Sequence, residues 1–208
     1  MLAVEAKELS YHYPDGTRAI ECLSLEISDG EKIGIIGPNG SGKSTFVTML
    51  NGIRKGKGLL RIFEYPVTRQ NLNHIKELVG IVFQNPDDKL FCPTIFEDVS
   101  FGPLNQGLDA GTVRSRVTQA LKDVGLEGFE ERSSFHLSFG ERKLASMATV
   151  VAMRPDLIVM DEPTSNLDLA HRRKIINWIR ASQKTIILTS HDLDMVLETC
   201  TRVLLLTR

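Results

Sequence analysis

The densest chemistry in the chain sits at Gly37-Pro38-Asn39-Gly40-Ser41-Gly42-Lys43-Ser44-Thr45, where Gly37 and Gly42 bracket four residues and a lysine and a hydroxyl follow. Glycines let successive backbone N–H groups curl inward around phosphate oxygens, and a helix start adds the positive end of its dipole. A lysine in that place neutralises β- and γ-phosphates, and the Ser44 hydroxyl is a hard oxygen ligand for Mg²⁺. The flanks supply what such a loop needs. Lys32-Ile33-Gly34-Ile35-Ile36 predicts a short buried parallel strand, and Phe46–Leu50 predicts the first turns of a helix stopping near Asn51-Gly52. An ordinary glycine-rich turn needs neither the lysine nor both flanks, so the spacing points to a bound nucleotide.

A second concentration of charge is Leu157-Ile158-Val159-Met160-Asp161-Glu162-Pro163, an apolar run that predicts a buried strand ending on paired carboxylates. Neighbouring side chains on a strand face opposite ways. On that premise Asp161 and Glu162 take different tasks, one toward hydrated Mg²⁺ and the other toward an attacking water. Lys184–Ser190 predicts a third central strand, and His191 at its carboxyl end is placed for a γ-phosphate contact. Gln84 closes the apolar run that starts at Leu78. Its amide oxygen suits Mg²⁺ or a water, although alone it reads equally well as a plain strand end. Ser138, with Glu141 three residues on, forms a capping box for a helix carrying Leu144, Met147, Ala148 and Val151 on one face. That box suffices structurally, and the same helix start is also an anion site.

The other elements must hold these groups in place. Ala3–Leu9 and Ala19–Ile27 flank Pro14-Asp15-Gly16 and alternate like antiparallel strands. Tyr11 and Tyr13 stand just before that turn; Tyr13, the better placed, either stacks on a purine or packs on its strand neighbour. Leu59–Phe63 predicts a strand and Arg69–Glu77 a short helix. Residues 85–136 change character, with turn formers (Pro86, Pro93, Gly102-Pro103, Gly107) separating short helices, the longest being Ala110–Val124 capped by Asp109. Phe91, Phe96 and Phe101 in this block read either as its own small core or as a groove for another protein's helix. Thr164–Asp168 is a polar turn, and Leu169–Ala181 a helix burying Ile175, Ile176 and Ile179. Asp192–Thr199 and Arg202–Leu206 predict a last helix and a last strand.

Lys and Arg number 25 against 26 Asp and Glu, a net charge of −1, which lacks the basic excess a nucleic-acid partner calls for. Cys22, Cys92 and Cys200 are scattered without a C-x-x-C pair, so neither a zinc site nor a disulfide framework is expected. No leader pattern opens the chain and no apolar run approaches a membrane span, so any membrane role is expected to come through a partner. The 208 residues suit one α/β domain with a small insertion.

Over nearly its whole length the chain resembles the ATP-binding subunit of ATP-binding cassette (ABC) transporters. Gly37–Thr45 looks like the Walker A loop, Gln84 the Q-loop, Leu137–Glu141 the signature motif, Leu157–Glu162 the Walker B strand with its glutamate, Ser165–Asp168 the D-loop and His191 the switch histidine. The resemblance implies a P-loop NTPase α/β fold: a mixed, mainly parallel sheet with an N-terminal antiparallel part and a helical insertion. It implies one domain, with 1–84 and 137–208 as nucleotide-binding core and 85–136 as the insertion. ATP would contact Tyr13, Gly37, Asn39, Gly40, Ser41, Gly42, Lys43, Ser44 and Thr45, and Ser138 and Gly140 would reach the ATP of a partner subunit. Mg²⁺ would involve Ser44, Gln84 and Asp161, and catalysis Glu162, His191, Lys43 and Gln84. Phe83–Phe91 and Glu97–Leu104 are similar, more narrowly, to the ATPases of energy-coupling factor importers, which take up cobalt, nickel, biotin and vitamins. That implies a homodimer, or a heterodimer with a sister ATPase, and a transmembrane coupling protein docked on 85–136 at the cytoplasmic face of the membrane.

Departures from the pattern are Phe139 for glycine and Glu141 for glutamine in the signature, Lys89 for glutamine, and Asn166 for a small D-loop residue. With Phe139 bulky, the signature contact is expected to fall on Ser138 and the Gly140 backbone. Many relatives extend further after the last strand, so weak self-association without nucleotide is expected. Other ABC transporter classes and a soluble, non-transport ABC ATPase are the competing readings; the latter usually has tandem cassettes, a coiled-coil insertion or a basic surface.

Overall fold

The computed structural model describes residues 1–207. In chain order it holds β1 (Leu2–His12), β2 (Arg18–Ser28), β3 (Lys32–Ile36), α1 (Lys43–Leu50), β4 (Lys57–Ile62), β5 (Tyr65–Pro66), α2 (Leu72–Leu78) and β6 (Val79–Val82). Then follow α3 (Ile95–Asn105), α4 (Ala110–Asp123), α5 (Phe139–Val151), β7 (Leu157–Asp161), α6 (Leu169–Ala181), β8 (Thr185–Thr189), α7 (Leu193–Thr199) and β9 (Arg202–Leu205). The α/β class stands, and the chain packs as two compact units.

The first unit comprises Met1–Ile81, Asp156–Asp161 and the chain from Gln183 onward. Its antiparallel part is a separate sheet in the order β2-β1-β4-β5. Bulges interrupt the β1–β2 ladder at Glu8 (φ 49) and Cys22 (φ 48). Hydroxyls take up the N–H groups displaced there: Glu8 donates to Ser24 Oγ and Cys22 to Ser10 Oγ, each at 2.9 Å. The second sheet runs β6-β7-β8-β3-β9, and β3 pairs in parallel with both β8 and β9. Its inner strands are largely apolar and buried, with Ile33, Val159, Ile186 and Leu188 at 0 % exposure, as strands covered on both faces require, while the edge strand β9 is mostly exposed. The carboxyl ends of β3, β8 and β7 are therefore adjacent, which is where an open parallel sheet binds ligands.

The second unit comprises Val82–Pro155 and Glu162–Ser182. Its boundaries differ from the division at 85 and 136, because α5 and α6 pack with this unit's own helices. The core is Ile95, Val99, Val113, Val117, Leu121, Leu144 and Ala148. Gly102-Pro103, expected as a turn, lies inside α3 instead. That helix is started firmly by a Thr94–Glu97 capping box, and Gly102 is needed where a side chain would strike Met153 Cγ at 2.5 Å. Proline near the last turn removes only one helical hydrogen bond. Buried Asp98 ties the preceding loop to α3, its Oδ1 accepting from the Phe91 and Cys92 N–H groups at 2.9 Å each.

Candidate active site

In the first unit the glycine loop joins β3 to α1 by tight contacts. Gly37 has φ 155, and a Cβ there would lie 2.2 Å from Leu206 O; Gly42 has φ 98, and a Cβ would lie 2.2 Å from Ala19 O. Neither position admits a side chain. Lys43, only 8 % exposed, folds back so that Nζ donates to Gly37 O at 2.8 Å and Pro38 O at 3.1 Å. Both acceptors are neutral, so the ammonium adds its charge to the start of α1, a setting suited to phosphate. The Ser41 hydroxyl is buried beside Gly37 without a protein hydrogen-bond partner.

Three other predicted residues of this unit join the loop or its neighbouring strand ends. His191, exposed just past β8, has Nε2 2.9 Å from Asn39 Oδ1. Asp161, at the end of β7 and 8 % exposed, accepts a short hydrogen bond from the Thr189 hydroxyl on the adjoining strand. Tyr13 OH lies 2.8 Å from Thr45 Oγ1, linking the β1–β2 turn to α1. Its ring meets Tyr11 edge-on at 5.2 Å, and the Arg54 guanidinium stands 4.9 Å from its centroid. Arg54 was invisible in the sequence, being an arginine in a loop with no motif around it. Ser44 is exposed. Its hydroxyl and the Asp161 carboxylate are oxygen donors of the kind hard Mg²⁺ selects. Among the described residues no group of three His, Cys, Asp or Glu converges. An ion shared with phosphate and water needs no such cage.

In the second unit Gln84 is exposed and lies two residues beyond β6 rather than on its last position. The box at Ser138 forms as expected: Glu141 N–H donates to Ser138 Oγ at 3.2 Å, and Ser138 N–H donates to Glu141 Oε2 at 2.7 Å. The Ser138 N–H holds the Glu141 carboxyl below its ordinary range, so the helix start already carries an anion of its own. Phe139 and Gly140 are the first helical residues, whose N–H groups have no intrahelical acceptor. Gly140 is buried against the His171 ring, which a Cβ would meet at 2.5 Å. His171 Nδ1 is 2.6 Å from Asp168 Oδ2, and Asp168 caps α6. Asn166 adopts φ 60, a conformation asparagine tolerates better than most residues with a side chain.

The opposite-faces premise for Asp161 and Glu162 is corrected. β7 ends at Asp161, and Glu162 has already left the strand with φ 47. Its carbonyl accepts from Ser165 N at 3.3 Å, Ser165 Oγ at 3.0 Å and Lys143 Nζ at 3.4 Å. Lys143 was missed, although a lysine four and seven residues before Met147 and Val150, on a buried face, is a readable signal.

The three phenylalanines do not form a core. Phe91 and Phe101 are 65 % and 52 % exposed and meet edge-on at 5.2 Å, with Leu104 also 54 % exposed. Phe96 is separate and half-buried, with the Arg114 guanidinium 5.7 Å from its ring. Burial lowers the Lys89 pKa, and its ammonium lies 5.2 Å from the Phe83 ring.

Residues 20–165 match the protein family described as ABC transporter. A protein of Geobacter sulfurreducens named as an ABC transporter ATP-binding protein is 46 % identical over 98 % of this chain and 82 % of its own length. The energy-coupling factor transporter ATP-binding protein EcfA of Methanocaldococcus jannaschii is 45 % identical, over 94 % of this chain and 72 % of its own. Among solved structures, CbiO1 of Clostridium perfringens, part of the ABC transporter complex CbiONQ, superposes with TM-score 0.89 at 36 % identity, covering 99 % and 85 % of the two chains. An ATP-binding cassette captured as a dimer in a post-hydrolysis state with ADP and Pi gives TM-score 0.88 at 26 % identity, over 98 % and 94 %. The chain belongs to the ABC transporter family and is one of its ATP-hydrolysing cassettes.

Proposed function

We propose that this cassette is the energy-coupling ATPase of an energy-coupling factor importer for a metal ion such as cobalt or nickel, or for a vitamin. It would act from the cytoplasmic face of the membrane. The observation that carries the reading is the exposed Phe91–Phe101 pair beside Leu104, an apolar surface on a chain with no membrane-crossing helix among its described residues. Such a surface fits an amphipathic helix of a transmembrane coupling protein. Likeness to EcfA and to CbiO1 supports the choice of importer class.

Two cassettes, identical or sister chains, would face each other head to tail. The Gly37–Thr45 loop and Lys43 would bind the phosphates of ATP, with Tyr13 against the base. Ser138 and the Gly140 backbone would reach the same phosphates from the other subunit. Mg²⁺, held by Ser44 with Asp161 and Gln84, would supply charge neutralisation on the phosphate oxygens. Glu162 would orient and polarise the attacking water, and His191, positioned by Asn39, would hold the γ-phosphate. In-line phosphoryl transfer asks for positioning and electrostatics more than covalent chemistry, and this set of residues supplies both. Closure and reopening of the pair would move the membrane protein.

The test is recovery of the tagged chain from detergent-solubilised native membranes, with and without Phe91→Ala and Phe101→Ala together. An integral membrane protein should accompany the native chain and be lost from the double variant, while ATP affinity stays within about two-fold. Recovery free of any membrane protein, or unaffected by the double change, would refute the proposal.

A further inference from the structure

The geometry points to Lys143 as a positioning residue for hydrolysis, which holds the backbones of Gln84 and Glu162 in one fixed relation. Lys143 is 0 % exposed. Its ammonium donates to the carbonyl oxygens of Gln84 at 2.8 Å, Phe83 at 2.9 Å and Glu162 at 3.4 Å. An ammonium carries three donors on one atom, so a single group gathers all three acceptors. Burying a charge is costly unless its hydrogen bonds are made, and packing alone would be served by leucine. What the charge adds here is a hold on two chain segments that are far apart in sequence.

Glu162 needs such a hold. Its φ of 47 is a backbone region that residues with a Cβ occupy only when their surroundings impose it. It also precedes Pro163, which restricts its conformations further. Lys143 from α5 and Ser165 from the following turn both hold its carbonyl. The direction in which the Glu162 side chain leaves the backbone is thus held by Lys143 together with Ser165, and Lys143 alone of the two also anchors the Gln84 carbonyl. The inference rests on the roles proposed above for Glu162 and Gln84.

Two variants test it. Lys143→Gln keeps most of the packing and two donors without the charge; Lys143→Met removes every donor. The measurements are kcat and KM for ATP, nucleotide affinity, and amide hydrogen exchange of peptides covering residues 82–88 and 160–168. Lys143→Gln should lower kcat about ten-fold and Lys143→Met about a hundred-fold, with ATP affinity within about three-fold. Exchange should quicken in both segments together and stay unchanged in α1. Native kcat in Lys143→Gln overturns the inference. So does a variant whose ATP affinity, kcat and exchange throughout the chain all deteriorate together, since Lys143 then only holds the fold. Should Lys143→Met fail to fold, Lys143→Gln decides, and insolubility of that variant also counts against the inference. A wrong assignment of Glu162 shows differently, as native turnover in Glu162→Gln with both segments still loosened by Lys143→Gln.

Discussion

Ser138 has two possible tasks, and their magnitudes separate them. As a helix cap its hydroxyl accepts the Glu141 N–H at 3.2 Å on an exposed turn. Ser138→Ala leaves that N–H to water and should cost about 1 kcal/mol. In a chain of this size that lowers Tm by roughly 2–4 °C. Against a total stability of about 5–15 kcal/mol, such a loss leaves nearly every molecule folded, so a mere cap predicts undiminished ATPase activity. If Ser138 also donates to phosphate across a cassette pair, losing it should lower kcat about a hundred-fold, as for other transition-state donors. Ser138→Asp sharpens the contrast. Aspartate caps as well as serine does, and its repulsion from the Glu141 carboxylate within one turn costs only a few tenths of a kcal/mol. It would, however, set a negative charge against the γ-phosphate. Differential scanning fluorimetry with steady-state phosphate release should find Ser138→Asp within about 2 °C of the native Tm. Its turnover should fall at least about a hundred-fold. Ser138→Asp hydrolysing ATP within about two-fold of the native rate would refute a nucleotide role for the helix start.

Gly42→Ala forces a left-handed φ and a 2.2 Å approach to Ala19 O, so it should cost roughly 2–5 kcal/mol, read as a fall in chemical-denaturation midpoint. Gly107 has φ 75 but open space around it, and Gly107→Ala should cost only about 1–2 kcal/mol. Equal losses at the two positions would show that the loop contact is not tight. Asp109, which caps α4, has its pKa lowered chiefly by the Thr112 hydroxyl and N–H. A lowered folded value means its stabilisation is complete above the unfolded value near 4 and is lost as pH falls through the folded one. Asp109→Ala should therefore melt below the native chain at pH 7, and the gap should narrow as pH falls from the unfolded value through the folded one. A gap that does not narrow would place the effect elsewhere than in the carboxylate.

The parts of the fold readable in advance were those fixed by local chemistry. The bounds of β3 and α6 match the hydrophobic periodicity, and Ile175, Ile176 and Ile179 are buried as that periodicity requires. The Ser138–Glu141 box and the Asp109 cap were legible because a side chain reaches only a few residues along its own chain. What stayed hidden depends on residues distant in sequence. Gly102-Pro103 carries a turn signature, and only the close approach of Met153 shows why a glycine stands there inside a helix. The alternation rule misplaced Glu162 because three hydrogen bonds from Ser165 and Lys143 bend its backbone out of the strand. Asn39 was assigned to the loop by its motif, but nothing in the motif pairs it with His191, 152 residues away. The exposure of Phe91 and Phe101 was equally beyond composition, since aromatic density looks alike in a small core and on a docking surface.

The central claim is that ATP is shared by two cassettes, the glycine loop of one facing the Ser138 helix start of the other. The direct measurement is a crystal structure of Glu162→Gln with Mg²⁺ and ATP, the substitution being chosen to block turnover while leaving nucleotide bound. The expected result is a pair of chains with each triphosphate lying between Lys43 of one and Ser138 and Gly140 of the other. A structure in which ATP fills the Gly37–Thr45 loop while Ser138 of every neighbouring chain stands well away from it, from a protein whose native form hydrolyses ATP cooperatively, would contradict the account.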